Sequence, residues 1–294
     1  MRALKLLAFC ATVAISTAAN AQTIDWQKVD AALGRSGAVT GDVHRYGFPR
    51  SDLQVTVDGV TIKPAFALGG WAAFKPAHDG VMVMGDLVLL ETEINPVMSK
   101  LIENGVEITA VHNHILRGNP ATFYMHIGGH GDPVKIATAL RTALGESKTP
   151  PAVGAPGTPP PVDLDTAQLD QIIGAKGQNN GGVYQFGVPR RDPITESGMP
   201  MTPAGPLGLA TAINFQSTGG GKAAITGDFV MIGEEVNPVI KALRSNGIEI
   251  TALHSHMIGE QPRLFFMHFW ANDDAQKLAK GLRAALDKTA SVKN

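Results

Sequence analysis

Nine histidines are present, and seven of them crowd into two short stretches of the chain. His112-x-His114 is followed by His126, and His254-x-His256 is followed by His268 at the same spacing. A neutral imidazole offers a nitrogen lone pair, so three that converge form a site for zinc, copper, iron, nickel or manganese. His112 and His114, two apart on a strand, would share a face about 7 Å apart. His126, on the returning strand, could stand beside them. His130, the seventh, sits in Gly128-Gly129-His130-Gly131, which reads as a flexible loop beside the site and makes it a candidate ligand-binding residue. A fourth ligand or a general base would be a carboxylate. Glu93 and Glu235 occupy matching positions and are the candidates, as catalytic residues or ligands. Arg50 and Arg190, in Pro-Arg-x-Asp with Asp52 and Asp192, would either hold an anionic ligand group or form an internal salt bridge. Asp86 and Asp228, each after a glycine, read as turn residues or as supports behind the ligands.

These residues recur because the chain is a duplication. Asp25–Asp52 aligns with Asp165–Asp192 at an offset of 140, and from Gly85-Asp86 onward the offset is 142. At that offset Glu93-Ile94-Asn95-Pro96-Val97 meets Glu235-Val236-Asn237-Pro238-Val239, and both histidine sets coincide. Between the copies, residues 150–161 hold six prolines, a composition for an extended tether. Local signals then give the elements. Val81–Ile94 is apolar and reads as a buried strand, and Asn95-Pro96 as a helix start, with a stop at Asn104-Gly105. Val106–Leu116 and Thr122–Ile127 read as a hairpin around a turn at Arg117–Ala121, and Asp132-Pro133 opens a last helix. The expected class is α+β: two tandem homologous domains, each a mostly antiparallel sheet with helices on one face and a β-α-β-β-α core. The divisions expected are a signal peptide at 1–21, a first repeat at 22–146, a Pro-rich linker at 147–163 and a second repeat at 164–294.

The leader follows from Arg2 and Lys5, an apolar run from Leu6, and Ala19-Asn20-Ala21 before Gln22. Its removal predicts a periplasmic or secreted protein with no transmembrane segment. It also removes Cys10, the one cysteine, which excludes disulfides and thiolate metal sites. Net charge is −1, which argues against nucleic acid as a partner and leaves a small molecule or a metal ion. No phosphate loop, G-x-S-x-G elbow or H-E-x-x-H helix is present. Oligomeric state is not legible.

Val43-x-Arg-Tyr-Gly-Phe-Pro-Arg-Ser-Asp52, Gly85-Asp-Leu-Val-Leu-Leu-Glu91, Glu93-Ile-Asn-Pro-Val97, Ala110-Val-His-Asn-His114 and Tyr124-Met-His-Ile-Gly-Gly-His-Gly-Asp132 together resemble the LppY/LpqO family, once per copy. That resemblance implies an exported bacterial domain with no agreed activity. The histidine spacing is similar, within about one residue, to that of acetolactate decarboxylases, which hold zinc with three histidines and a glutamate. It shows that such a hairpin can carry chemistry. Two function classes follow. One is a metal-dependent hydrolase or lyase acting on a small molecule, with zinc the first candidate ion. The other is a non-catalytic metal- or ligand-binding protein. An open coordination position separates them.

Overall fold

The computed structural model describes residues 24–152 and 157–292. The expected leader at 1–21 lies outside them. The first repeat runs α1 (Trp26–Leu33), β1 (Ala38–Thr40), β2 (Val43–Pro49), β3 (Thr56–Val57), β4 (Val60–Thr61), α2 (Pro64–Ala67), β5 (Gly69–Ala77), β6 (Gly80–Leu90), α3 (Glu91–Glu103), β7 (Glu107–His112), β8 (Thr122–Gly131) and α4 (Pro133–Leu144). The second runs α5 (Thr166–Ile173), β9 (Gln178–Asn180), β10 (Val183–Pro189), β11 (Thr195–Glu196), β12 (Met199–Pro200), β13 (Ala210–Gly219), β14 (Lys222–Ile232), α6 (Gly233–Ser245), β15 (Glu249–His254), β16 (Glu260–Gln261), β17 (Leu264–Asp274) and α7 (Ala275–Leu286). Each repeat builds a six-stranded antiparallel sheet, ordered β1-β2-β5-β6-β8-β7 and β9-β10-β13-β14-β17-β15.

Strand parity divides each sheet into two apolar faces. In β6, Val81, Val83, Leu87 and Leu89 pack with Val97 and Leu101 of α3 and with Ile136 and Leu140 of α4. The intervening Met82 and Met84 join Trp71 in a cluster with Leu207, Val230 and Phe266 of the second repeat. The second repeat repeats the division, with Ile225, Phe229 and Met231 turned to α6 and α7. Helices therefore cover the outer face of each sheet, and the two inner faces pack on one another. Both faces being buried explains why β6 and β14 read as nearly unbroken apolar runs.

Three element expectations need correction. The strand expected over Val81–Ile94 ends at Leu90, and its helix begins at Glu91, with Asn95 and Pro96 inside it. Glu93 supplies the start signal, because its carboxylate accepts the Leu90 N–H at 2.9 Å. The strand expected to reach Leu116 ends at His112, so His114 lies beyond it. There the chain turns to the other repeat: Asn113 Nδ2 donates to Thr251 O at 2.9 Å and Thr251 Oγ1 to His114 O at 2.5 Å. Gly128–Gly131 is not a loop but the end of β8, paired with Val81–Met84 of β6. Asp132 and Asp274 cap α4 and α7 through backbone N–H groups. Among the described residues, no helix is long and apolar enough to cross a membrane.

Candidate metal centre

Register carries the histidines inward. His126 is the cross-strand partner of Asp86, which in turn faces Trp71, so all three stand on the inner face of the first sheet. His268 faces Asp228 in the same way. The preceding glycines let the strands close up. A Cβ on Gly85 would lie 2.6 Å from Trp71 O, and one on Gly227 would lie 2.0 Å from Ala212 O. The Gly-Asp pairs are therefore the places where a carboxylate is pressed into the interface beside a histidine.

The two histidine sets meet there. His112 stacks on His254 with ring centroids 3.6 Å apart, His114 on His268 at 3.7 Å and His126 on His256 at 4.0 Å. Each of these pairs joins one repeat to the other. Nε2 of His112 and Nε2 of His126 are 3.0 Å apart. Tyr124 stacks on His114 and Phe266 on His256, at 3.3 and 3.4 Å. Three sets of nitrogens lie within 4.8 Å of one another: His112, His114 and His126; His126, His254 and His256; and His112, His254 and His268. Two of those sets mix repeats, and any two sets share a residue. The six histidines thus form one coupled cluster, where the sequence suggested a separate site in each repeat.

The donors fit a metal. His268 Nδ1 lies 2.7 Å from Gly227 O and His112 Nδ1 2.9 Å from Asn113 O, bonds that place the proton on Nδ1 and leave Nε2 with its lone pair. His268 Nε2 and both nitrogens of His254 are buried with no hydrogen-bond partner. Asp228 Oδ2 lies 3.0 Å from His256 Nε2, and Asp86 Oδ2 lies 3.5 Å from His114 Nε2. Neither contact is aligned as a hydrogen bond, so both Nε2 atoms also stay unpaired. Unpaired buried nitrogens are costly, and so many in one place call for a ligand. Burial holds His112 down at about 4 against the bond to Asn113 O, and burial with the mutual repulsion of the charged forms holds His114, His126 and His256 well below their ordinary range. Their rings are neutral at pH 7, as ligation requires. Burial and the nearby Asp228 charge push Asp86 up to about 8 against the pull of Arg45, and burial raises Asp228 to about 6.

The structure places the other anticipated residues elsewhere. Glu93 is a buried partner of Arg50, at 2.6 Å, and accepts from the N–H groups of Leu90 and Lys148. Glu235 repeats this with Arg190, Ile232 and Ala290. Those bonds occupy both carboxylates, and the carboxylates beside the histidines are Asp86 and Asp228. Arg50 is fully buried, bound also by Asp52 and Val88 O, so its donors face the chain itself and not a ligand; the Arg190 terminal nitrogens are held likewise, while its buried Nε has no partner. His130 is exposed on β8. Trp71 and Trp270 both pack across the repeats, Trp270 Nε1 donating to Asp58 at 3.0 Å.

Fold and site define a tandem-repeat α+β protein whose clustered histidines could hold a metal ion. The chain belongs to the family described as Domain of Unknown Function (DUF1259), which matches twice, over residues 27–146 and 167–288. A comparison with curated proteins finds no match. Among solved structures, the trimeric bacterial microcompartment shell protein PduB aligns over 89% of this chain and 97% of its own, at 15% identity and a TM-score of 0.22. EtuB from Clostridium kluyveri aligns over 86% and 89%, at 10% identity and a TM-score of 0.20. Scores this low do not establish a common fold.

Proposed function

We propose that this is an exported metal-binding protein, of the LppY/LpqO kind, whose two repeats hold a divalent transition metal in one shared histidine centre. The observation that carries the reading is the convergence of buried, unpartnered imidazole nitrogens from both repeats. An all-nitrogen borderline donor set, flanked by carboxylates and free of thiolate, suits zinc and its neighbours copper and nickel. Each three-histidine set leaves room for a further ligand, which Asp86, Asp228 or water would supply. A hydrolase or lyase would also need space for its substrate beside the ion. The cavity that reaches His256 measures about 60 Å³, against about 300–1,000 Å³ for small-molecule sites. This favours holding or carrying the ion over catalysis.

The test is metal content of the chain from residue 22 onward, purified without a tag and reconstituted with zinc, copper or nickel. Stoichiometric metal is expected in the wild type. None is expected in His112→Ala/His254→Ala, because that pair of changes breaks all three histidine sets. A wild type that takes up no metal would overturn the reading.

A further inference from the structure

The two ends of the shared centre differ. At one end Asp58, in the turn after β3, and Glu249, opening β15, are both bound by Arg117, at 2.9 and 2.8 Å. Trp270 Nε1 donates to Asp58, and the cavity of about 360 Å³ lined by Trp270 and these two acids reaches no histidine. At the other end the duplication matches Glu249 with Glu107, which opens β7, and Asp58 with Ser197; the second acid there is Glu196 of β11, one residue earlier in the same turn. The position matching Arg117 is now Gly259, and that matching Trp270 is Gly128. Among the described residues, no arginine is hydrogen-bonded to both Glu196 and Glu107. Arg263 is bound by Glu260 and by the carbonyls of Met257 and Ile258.

The consequences are visible at this end. Glu196 Oε2 is buried without a hydrogen-bond partner. Burial and the charges of Glu260 and Glu107 raise its carboxyl, against the opposing pulls of His130 and Arg263. Beside Gly128 lies a cavity of about 60 Å³ that, unlike the one beside Trp270, reaches a histidine of the cluster. Glu107, Glu196 and His130 line its outer part, Met84 and Met257 its walls, and His256 its buried end. His256 is 6% exposed, and its Nε2 has no hydrogen-bond partner. A cavity of this size holds an ion with part of its water shell. Among the described residues, three-donor sets close enough to chelate occur within the six histidines and not at this mouth. The mouth can therefore attract a cation without trapping it.

We propose that this end is the port through which a divalent cation reaches the histidine centre, captured by Glu107 and Glu196 beside His130 and passed inward to His256. The inference rests on the metal-binding reading and adds a route and a direction to it. Paired carboxylates at a narrow mouth raise the local cation concentration and hence the association rate, in a salt-dependent way.

The test follows Co²⁺ uptake by the metal-free chain in a stopped-flow spectrometer, through the visible bands of the histidine-bound ion. Glu107→Gln/Glu196→Gln should slow the bimolecular rate about tenfold while leaving the final stoichiometry at the wild-type value. Gly259→Arg should slow it as well. A Cβ there lies 3.1 Å from Glu196 Oε1, so the arginine would bind that acid as Arg117 binds Asp58. Glu249→Gln, at the arginine-bound end, whose cavity reaches no histidine, should leave the rate unchanged. Wild-type rates in both port variants would overturn the route, as would a lowered stoichiometry in Glu107→Gln/Glu196→Gln, which would make those acids part of the binding site. Absence of Co²⁺ uptake by the wild type would instead overturn the centre itself.

Discussion

His254 gives a prediction whose sign is unusual. Both of its ring nitrogens are buried without a partner, and its ring is pressed against His112. In the metal-free protein it therefore carries an uncompensated desolvation cost, about 1–3 kcal/mol for such a group. His254→Leu removes those nitrogens and keeps an apolar side chain of similar bulk. The metal-free variant should be more stable than the wild type by about 1 kcal/mol, which in a protein of this size raises Tm by about 2–4 °C. Metal should act in the opposite sense. At a hundredfold excess over Kd, an ion bound only to the folded state adds about 2.7 kcal/mol, or about 5–11 °C, to the wild type. His254→Leu breaks two of the three donor sets, so its metal-induced shift should be much smaller. Thermal unfolding with chelator and with zinc measures both quantities on the same samples. A metal-free variant that melts below the wild type would refute the reasoning, since His254 would then support the fold by its own contacts.

Three further outcomes concern the carboxylates. Arg50→Leu leaves Glu93 buried without its counter-charge and should cost about 3–5 kcal/mol in urea unfolding. Burial would raise Glu93, but Arg50 and the N–H groups of Leu90 and Lys148 outweigh it and hold the carboxyl below its usual value. That contribution is present above the ordinary carboxylate range and is lost as pH falls through the lowered value; Glu93→Gln should narrow its stability gap to wild type over this acid window, and a gap constant with pH would contradict the assignment. Asp86, held up to about 8, keeps its proton at neutral pH in the metal-free protein. Asp86→Asn should thus leave metal-free stability nearly unchanged and weaken metal affinity about 10–100-fold by calorimetric titration, whereas wild-type affinity would remove Asp86 from the centre.

The duplication and the histidine spacing were legible because they are properties of the chain order alone. The caps at Asp132 and Asp274 were legible too, since a cap acts within three residues. What sequence could not show depends on partners far along the chain. Glu93 looked like a free carboxylate because Arg50, which binds it, lies 43 residues away. Asp86 looked structural because only cross-strand register places it opposite His126. Asn95-Pro96 carried the composition of a helix start, yet the buried Arg50–Glu93 pair and the Glu93 bond to Leu90 fix the start one turn earlier. The pairing of His112 with His254 leaves no trace in either repeat read separately. The matching Gly85 and Gly227 were the nearest available signal, marking strands that must approach closely.

The exchange of Arg117 for Gly259 has a meaning that a symmetric assembly could not express. In a homodimer of single repeats, one gene writes both ends of the interface, so any substitution that closes one end closes the other. Joining the copies in one chain frees each end to drift by itself. Arg117 binds the acids at one end, where the cavity beside Trp270 reaches no histidine, while at the opposite end Gly259 and Gly128 stand in the matching positions and the cavity reaches His256. The tether between the repeats thus permits polarity: a twofold scaffold with a front and a back.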